Sequence, residues 1–240
     1  MIENEIAHGE KISAKAELVW GWETPAGRQR AERRARFLIN AGEITEGKKV
    51  LEIGCGTGVF TEKMGRTGAE IIAIDISPEL IERAREKDVS SNVQFEVMNV
   101  EKMDFPDNNF DSVVGSSILH HLNIEKAFLE IGRVLKKGGR VAFTEPNMMN
   151  PQIMIQKNIK PIKRWLGDSP EETAFFRWSI VKMLGDSGFC DISVQPFDFL
   201  HPFTPAPLIP IVDKVGQIAE RLPILREIAG SLLIQAKLIK

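Results

Sequence analysis

Three glycines directly after an apolar run are the first residues of this sequence that could do chemistry. Residues 50–60 read VLEIGCGTGVF, in which Gly54, Gly56 and Gly58 follow the run within five positions. Glycine has no side chain and tolerates positive φ, so such a turn lets a ligand approach the backbone. The spacing G-x-G-x-G differs from the dinucleotide fingerprint G-x-G-x-x-G, and the sequence contains no P-loop string. A nucleotide phosphate, a different adenosyl ligand and a plain tight turn all stay open at this point.

Two acids stand where they could bind an adenosyl ligand. Asp75 ends the next apolar run, about 20 residues beyond the glycines, where an acid can accept hydrogen bonds from both ribose hydroxyls. It could instead cap the following helix, but Ser77 before Pro78 fits that role better. Glu52 lies inside the first apolar run, and a buried carboxylate is costly unless a cation pairs with it. The amino group and the sulfonium of S-adenosylmethionine would supply such a partner.

The elements that position these residues alternate between strand and helix patterns. Five apolar runs predict strands: KVLEIG, EIIAIDIS, NVQFEVMN, FDSVVGSSIL and RVAFTEP. Helical patterns lie between several of them: VFTEKMGRTG, ELIERAREK and IEKAFLEIGRVLKKGG. Strand–helix–strand units of this spacing imply right-handed crossovers and a mostly parallel sheet with helices on both faces. The predicted fold class is therefore α/β.

The alternation loosens beyond Pro146. The sequence predicts a helix over residues 171–189, a strand over 191–200, a helix over 212–222 and a last strand over 231–239. The last two strands are separated mainly by helix and turn, which favours an antiparallel pair at the edge of the sheet.

Four ordered motifs extend this interpretation: VLEIGCGTG, AIDIS, FDSVVGSSILHHL and VLKKGGRVAFTEPN. Over about residues 45–150 the sequence resembles the class I S-adenosylmethionine-dependent methyltransferases of the small-molecule type. The resemblance implies a Rossmann-like, doubly wound, three-layer α/β/α fold, with a seven-stranded, mostly parallel sheet and a reversed last strand. It also implies a helical lid or extension over 1–44 and a methyltransferase domain over 45–240. Substrate-side lid insertions would fall at about 146–180 and 200–228.

The resemblance implies S-adenosyl-L-methionine as the cofactor, S-adenosyl-L-homocysteine as its product, and no metal. It assigns cofactor binding to Glu52, Gly54, Cys55, Gly56, Gly58, Asp75, Ile76, Asn99, Val100 and Ser116. The glycines would pass under the methionine part and Glu52 would face its amino acid end. Asp75 would hold the ribose, Ile76 would pack on adenine, and Ser116 would reach the methionine end through its backbone.

One position departs from the family pattern. Many members place an acid and a small residue after the third strand, to bind the amino group of adenine. This sequence has Asn99 and Val100 there. The side-chain carbonyl of Asn99 can still accept a hydrogen bond from that amine, without a charge.

His120 and His121 are the catalytic candidates, at the end of the fourth predicted strand. A methyl group on a sulfonium is already activated, so the protein must mainly orient the reactants, which is worth about 7–11 kcal/mol. A base is needed only if the nucleophile arrives protonated. His121 is slightly preferred, and the alternative is that one histidine starts a helix or packs.

Substrate-side candidates lie on both flanks of the predicted sheet. They are Trp20, Trp22, Arg28, Glu145, Asn147 and His201. Trp20 and Trp22, with Trp165 and Trp178 beyond the fifth strand, could line an apolar pocket under a lid. Trp178 falls on a predicted helix and fits core packing equally well. Glu145 and Asn147 are assigned from topology alone, and His201 belongs to a proline-rich stretch at the same mouth.

Five arginines crowd into residues 28–36. On a helix, Arg30, Arg33 and Arg34 share roughly one face, which could simply be solvated. Alternatively Arg28, near the helix start, could clamp the carboxylate of the cofactor or an anionic substrate. The run has no interleaved aromatic residues, which argues against an RNA surface.

Composition limits the remaining function classes. The net charge of −2 argues against a nucleic acid partner, and two distant cysteines, Cys55 and Cys190, indicate neither a disulfide framework nor a zinc site. The polar, acidic start is unlike a signal peptide, and no apolar run reaches about 18 residues, so we expect a cytoplasmic protein without a membrane-spanning segment.

The predicted function is methyl transfer to a small, partly hydrophobic molecule, since residues 205–225 are apolar. Three alternatives stay open. The protein could be a catalytically silent, cofactor-binding scaffold of the same fold. It could be a peripheral membrane methyltransferase that modifies a lipid, with residues 203–239 touching the bilayer. It could also be a nicotinamide oxidoreductase. The sequence predicts no oligomeric state.

Overall fold

Seven strands form one sheet in the computed structural model, which describes residues 2–165 and 173–239. They are β1 (Lys49–Ile53), β2 (Glu70–Asp75), β3 (Val93–Val97), β4 (Phe110–Ser116), β5 (Leu135–Pro146), β6 (Phe189–Phe197) and β7 (Ser231–Leu238). The order across the sheet is β3-β2-β1-β4-β5-β7-β6. Strands β1 to β5 pair in parallel, and β7 runs antiparallel to both β5 and β6. The predicted seven-stranded sheet with a reversed last strand is confirmed.

Helices cover both faces of this sheet. The α-helices among the described residues are α1 (Ile2–Ile12), α2 (Ala16–Val19), α3 (Pro25–Gly42), α4 (Val59–Gly65), α5 (Pro78–Arg85), α6 (Ile124–Val134), α7 (Pro151–Asn158), α8 (Lys160–Trp165), α9 (Arg177–Asp186) and α10 (Ile209–Ala219). The three-layer, doubly wound arrangement is as predicted. The part of the predicted insertion over 166–172 lies outside the described residues.

The alternation of side chains along the strands divides the core into two layers. In β1, Val50 packs with Leu38 of α3 and Met64 of α4, whereas Leu51 packs in the cluster that contains Phe128 of α6. Successive side chains of a strand point to opposite faces, so an uninterrupted apolar strand needs helices on both sides. This explains the near-continuous apolar runs of the sequence.

Two predicted helix boundaries are wrong. The sequence pattern carried α6 through Leu135 to the following glycines, but the helix ends at Val134. Leu135 is extended and fully buried, and it pairs with Phe110 as the first residue of β5. The helix predicted from residue 171 begins only at Arg177, since Phe175 forms a parallel bridge with Asn147. In both places sheet pairing prevails over helical periodicity.

The strand order reverses between β1 and β4, and this switch point fixes the place of a ligand. Strands β2 and β3 extend from one side of β1, whereas β4 and β5 extend from the other. In open α/β sheets of this kind, ligands bind beyond the carboxyl ends of the strands at the switch point. The turn at 54–58 follows β1 at this edge.

The N-terminal helices lie against this edge of the sheet. A Cβ atom on Gly9 of α1 would come within 2.5 Å of the Ser77 Oγ, so α1 packs closely on the start of α5. From α2, the Glu17 carboxylate accepts a hydrogen bond from Thr57 Oγ1 at 2.8 Å and pairs with Lys87 Nζ at 2.8 Å. These contacts place α1 and α2 beside the glycine turn, and a lid over 1–44 stays a prediction.

Candidate active site

The glycine turn has a backbone that other residues adopt at a cost. Gly54, Gly56 and Gly58 have φ angles of 64°, 52° and 77°, in the left-handed region. A Cβ atom on Gly54 would lie 2.4 Å from the Ile118 side chain, and one on Gly56 would lie 3.0 Å from the Trp20 ring. Gly58 precedes α4 as its N-cap residue. Conformation and crowding together therefore account for the glycines at the first two positions.

Asp75, at the end of β2, holds this turn in place. Its Oδ2 accepts a hydrogen bond from the Gly56 N–H at 2.8 Å, and its Oδ1 accepts one from the Ser77 N–H at 3.0 Å. Burial raises the pKa of Asp75, against the opposing effect of these backbone donors. Each carboxylate oxygen retains acceptor capacity beyond these bonds, so ligand hydroxyl groups can still be bound here. Ser77 caps α5, as predicted, by accepting from the Leu80 N–H.

Glu52 is buried behind the turn in β1. It is 1% exposed, and its Oε2 accepts a hydrogen bond from Thr61 Oγ1 at 2.5 Å. Burial raises the pKa of Glu52 to about 8, and the nearby charge of Asp75 acts in the same direction. Near neutral pH this side chain therefore holds its proton until a cation comes close enough to stabilise the carboxylate.

We expect Glu52→Gln to flatten the dependence of stability on pH. Glu52 has a pKa of about 8 in the folded protein against an ordinary value of 4.5, so folding takes up a proton between these pH values. The free energy of unfolding then falls as pH rises through this range, and the variant should lose ~1–3 kcal/mol of that fall. Urea unfolding at pH 5.5 and pH 8 measures it.

The matched control for this experiment is Glu46→Gln, which changes an exposed acid just before β1. It should show the same fall in stability with pH as the parent protein. An equally steep fall in the Glu52 variant would mean that Glu52 is ionised in the folded state at neutral pH.

A cavity of about 770 Å³ opens at this edge of the sheet. Eight of the predicted cofactor-binding residues line it: Gly54, Cys55, Gly56, Asp75, Ile76, Asn99, Val100 and Ser116. Glu52 and Gly58 are not part of the lining. The volume lies within the range of about 300–1,000 Å³ that is typical of small-molecule sites.

Asn99 is already engaged at the far end of this group. Its Oδ1 accepts a hydrogen bond from the Glu101 N–H at 2.9 Å, which forms a local turn after β3. An amide oxygen has two lone pairs, so one is left for the amino group of an adenine ring. Ser116, at the end of β4, accepts a hydrogen bond from Thr144 Oγ1 at 2.8 Å.

A buried carboxylate and a buried imidazole form a polar pair beside the cavity. His120 Nδ1 lies 2.6 Å from Glu145 Oε2. The other carboxylate oxygen, Oε1, accepts hydrogen bonds from the N–H groups of Ile118 and Leu119 at 2.9 and 2.8 Å. Glu145 is fully buried at the end of β5 and does not line the cavity, whereas His120 and His121 do. The structure thus gives a carboxylate partner to His120, although the sequence favoured His121.

Comparison with known proteins agrees with this geometry. Residues 51–143, which run from β1 to β5, match the family described as methyltransferase domain. The matched range is less than half of the chain, and it makes residues 51–143 similar to a methyltransferase domain. The matched range contains the glycine turn and Asp75.

Two curated relatives are biosynthetic quinone methyltransferases. The UbiE ubiquinone/menaquinone C-methyltransferase of Pasteurella multocida is 38% identical over 118 residues, which are 46% of this chain and 44% of the relative. The ubiquinone O-methyltransferase of Xanthomonas oryzae pv. oryzae is 32% identical over 143 residues, covering 58% and 60% of the two chains. The chain thus spans about half the length of the curated relatives it matches.

A solved structure extends the similarity of fold to the whole chain. The N-methyltransferase NodS of Bradyrhizobium japonicum, crystallised with S-adenosyl-L-homocysteine, has a TM-score of 0.66 over 98% of both chains. Its sequence is only 17% identical, so the likeness is one of fold. The shared fold extends over both the N-terminal helices and the reversed last strand.

Three of the predicted substrate-side residues line the cavity and three do not. Trp20, Trp22 and His201 belong to the lining. Arg28 is exposed, and its Nη1 donates to the Glu23 carbonyl oxygen at 2.6 Å. Asn147 is buried, and its Nδ2 donates to two carbonyl oxygens of residues 227–229, so it fastens the segment before β7. Glu145 reaches the cavity only through His120.

The lining contains two arginines that the sequence did not select. Arg30 and Arg34 of α3 both border the cavity, whereas the clamp was predicted at Arg28. The hypothesis of a solvated arginine face is also wrong for Arg34, which is 4% exposed. The spacing contained a signal for this, because Ala31 and Leu38, which are buried, fall on the same helical face as Arg34.

His201 lines the cavity together with Arg30 and Arg34, and its imidazole is neutral. Burial and the charge of Arg30 lower the pKa of His201. Its Nδ1 lies 3.2 Å from the Phe203 N–H, which can only donate, so the ring proton must sit on Nε2. That nitrogen is 3.1 Å from the side-chain amide of Gln152, whose oxygen is the group able to accept from it.

The other two tryptophans do not contribute to the described lining. Trp178 is 57% exposed on α9 and stacks on Phe176 with ring centroids 4.8 Å apart, so it is neither core nor lid. The side chain of Trp165 lies outside the described residues.

Over 2–165 and 173–239, no group of three or more His, Cys, Asp or Glu side chains could hold a metal ion. In the same ranges, none of the helices combines the length and apolar character needed to cross a bilayer.

Proposed function

We propose that this chain transfers a methyl group from S-adenosylmethionine to a small, partly hydrophobic acceptor. One observation carries the proposal: the turn at 54–56 and Asp75 border the same cavity as His120, which pairs with the buried Glu145, and as the aromatic ring of Trp22. The similarity to quinone methyltransferases supports a small hydrophobic acceptor. When bound, the cofactor supplies a methyl group on a positively charged sulfur, whose leaving thioether is neutral.

The residues around the glycine turn fit S-adenosylmethionine. A Cβ on Gly54 or Gly56 would collide with or crowd its neighbours, so the turn keeps its backbone bare. Asp75 offers two carboxylate oxygens for ribose hydroxyls. Glu52, whose pKa is raised by burial, would ionise as the amino group of the cofactor approaches. The chain's own residues therefore bind and orient the donor.

His120 is the group that can accept a proton from the acceptor. Because its Nδ1 faces the carboxylate of Glu145 at 2.6 Å, the Nδ1 proton is held there and Nε2 keeps a lone pair. Glu145 thus fixes the tautomer and stabilises the imidazolium that forms when Nε2 takes the proton. Glu145 is a positioning residue, since it does not border the cavity.

Calorimetry and a methyl-transfer screen test the proposal. S-adenosylhomocysteine should bind, whereas NAD and NADP should not, and a metabolite extract with radiolabelled methyl donor should contain a labelled product. Tight NAD(P) binding without binding of the methyl donor would make the protein an oxidoreductase. Cofactor binding with no labelled product in any extract supports the catalytically silent scaffold.

The exposed face of α10 favours a second candidate, a methyltransferase that takes its acceptor from a lipid surface. Ile211, Val215 and Ile218 recur at helical spacing and are each more than half exposed. Phe203, which is 61% exposed, borders the cavity. Phosphatidylglycerol vesicles should then co-sediment the parent protein but not Ile211→Ser/Val215→Ser. The control Leu129→Ser, which changes an exposed leucine of α6, should still co-sediment.

A further inference from the structure

The lining of the cavity includes a group of charged side chains that the proposed methyl transfer leaves unexplained. Arg30 and Arg34, one helical turn apart on α3, border the cavity with side chains only 13% and 5% exposed. Both guanidinium groups lie over the Trp22 ring, with Cζ atoms 5.6 and 5.4 Å from its centroid. Guanidinium groups placed in this way combine a charge with an apolar platform.

These two arginines share one carboxylate. The Asp198 Oδ2 lies 2.8 Å from Arg30 Nε and 3.5 Å from Arg34 Nη2, so only the first contact is a strong ion pair. Arg34 Nη2 also donates to the hydroxyl of Ser231. Within the part of the chain that the structure describes, the buried Arg34 Nε has no hydrogen-bond partner. One oxygen therefore serves two guanidinium groups incompletely.

Neighbouring acids do not complete the hydrogen bonding of Arg34. Glu220 forms two contacts with Arg33, at 2.8 and 2.5 Å, and also accepts from the Asp198 N–H. Glu145 is engaged by His120 and two backbone N–H groups. Three guanidinium groups, of Arg30, Arg33 and Arg34, thus face the carboxylates of Asp198 and Glu220. The charges of Glu145 and Asp213 act on Arg34 and Arg33 as well, but the positive charge of the buried Arg34 stays incompletely hydrogen-bonded next to the cavity.

That charge is costly where it lies. Burial lowers the pKa of Arg34 to about 10, and the charge of Arg30 acts in the same direction. A buried charge without a full partner destabilises a protein, whereas a bound anion would compensate it. A buried and incompletely paired guanidinium group favours an anion, and its planar fork matches a carboxylate.

We propose that Arg30, Arg34 and Ser231 form a subsite for a carboxylate carried by the methyl acceptor. This inference rests on the proposed function and narrows its acceptor to an acid with an apolar body. The carboxylate binds at the two guanidinium groups, the apolar body lies along Trp22, and the methylated atom lies toward His120. Trp22 also packs edge-on against Phe60 at 5.4 Å, which fixes its ring.

The position of the subsite favours the acceptor over the carboxylate of the cofactor. Ser231 begins β7 and pairs with Pro146 of β5 and Phe197 of β6. In the strand order, β7 is three places from β1, the strand that leads into Gly54. Three strand spacings amount to about 14 Å. Ser231, and with it the Arg34 group that donates to its hydroxyl, therefore lies three strands away from the strand that leads into the glycine turn.

Matched acids and amides test the subsite. Binding of 2-naphthoate, 4-hydroxybenzoate and decanoate to the complex with S-adenosylhomocysteine is compared with binding of the three corresponding amides. Isothermal calorimetry and tryptophan fluorescence give the affinities. We expect at least one acid to bind ten times more tightly than its amide. If every acid binds no better than its amide, or none binds, the proposal is overturned.

Two variants and one control locate the effect. Arg30→Gln and Ser231→Ala should each reduce the preference for the acid to less than threefold. The control Arg28→Gln, which changes an exposed arginine of the same helix, should keep the full preference. An unchanged preference in Arg30→Gln would reduce the cluster to a structural brace between α3 and Asp198, and would overturn the proposal.

A second pair of ligands separates this result from the cofactor. S-adenosylhomocysteine has an amino acid carboxylate and 5′-methylthioadenosine does not. The ratio of their affinities should be the same in Arg30→Gln and in the parent protein. If the variant loses the advantage of S-adenosylhomocysteine instead, the arginines serve the cofactor and the acceptor subsite is refuted. Cofactor binding in the parent protein would still support methyl transfer, so failure of the subsite and failure of the proposed function remain distinguishable.

Discussion

Replacing His120 with glutamine is expected to lower kcat at least 100-fold while S-adenosylhomocysteine binds within twofold of its parent affinity. A positioned general base contributes about 10²–10⁴ in rate when the nucleophile arrives protonated. The imidazole borders the cavity, and its Nδ1 is held 2.6 Å from the Glu145 carboxylate. Glutamine keeps a polar group near Glu145 but cannot take up a proton. Turnover of the acceptor found in the labelling screen, with calorimetry of the cofactor, measures the two effects.

The adjacent histidine provides the control. His121 also borders the cavity, and its ring centroid lies 4.2 Å from that of His120. Glu145 gives its hydrogen-bonding contact to His120, so His121→Gln should lower kcat by less than tenfold. The reverse result, with a large loss in His121→Gln and none in His120→Gln, would restore the preference drawn from the sequence and refute the role of the pair.

Glu145→Gln gives an independent measure of the same pair. Its side chain is buried and also accepts two backbone N–H groups, so folding must be checked by circular dichroism. In folded protein we expect kcat to fall and its pH profile to move to lower pH, because the imidazolium loses its carboxylate partner. A merely structural role would change stability and leave the profile in place.

Asp75→Asn is expected to weaken the binding of S-adenosylhomocysteine by a factor of 10 to 100 with the fold intact. Each hydrogen bond from a ribose hydroxyl to a carboxylate is worth about 1.5–3 kcal/mol. Burial raises the pKa of Asp75, so part of that gain offsets the cost of keeping the charge. The carboxylate also accepts from Gly56 N–H, so its loss additionally loosens the turn. Calorimetry at pH 7.5 measures the affinity.

A matched acid at the other end of the sheet is the control. Asp111, at the start of β4, accepts from the Lys49 N–H at 2.9 Å and pairs with Lys136 at 2.9 Å. Asp111→Asn should leave cofactor affinity unchanged, although it removes a carboxylate of the same kind. Equal affinities for the parent and the Asp75 variant would exclude Asp75 from the ribose site.

The amino-acid sequence by itself determined the features that depend on neighbours along the chain. The apolar runs predicted all seven strands and missed the first residues of β5 and β6. The tight turn at Gly54 and Gly56 could be predicted because positive φ is a local requirement. Asp75 and Ser77 could be assigned because the end of a strand and the cap of a helix are read within a few residues. Local backbone constraints can therefore be predicted from the residues nearby in the sequence.

Only the tertiary structure decided which side chains meet across the sheet and beneath the lid. Glu145 reaches His120 from 25 positions away, and Asp198 reaches Arg30 from 168 positions away. Helical periodicity placed Arg28 and Arg34 on one helix, but only packing shows that the first is exposed and the second buried. Such pairs depend on strand order and helix docking, which arise from the summed burial of many apolar residues. A sequence motif therefore predicts contacts within its own segment, whereas contacts between distant segments depend on the tertiary fold.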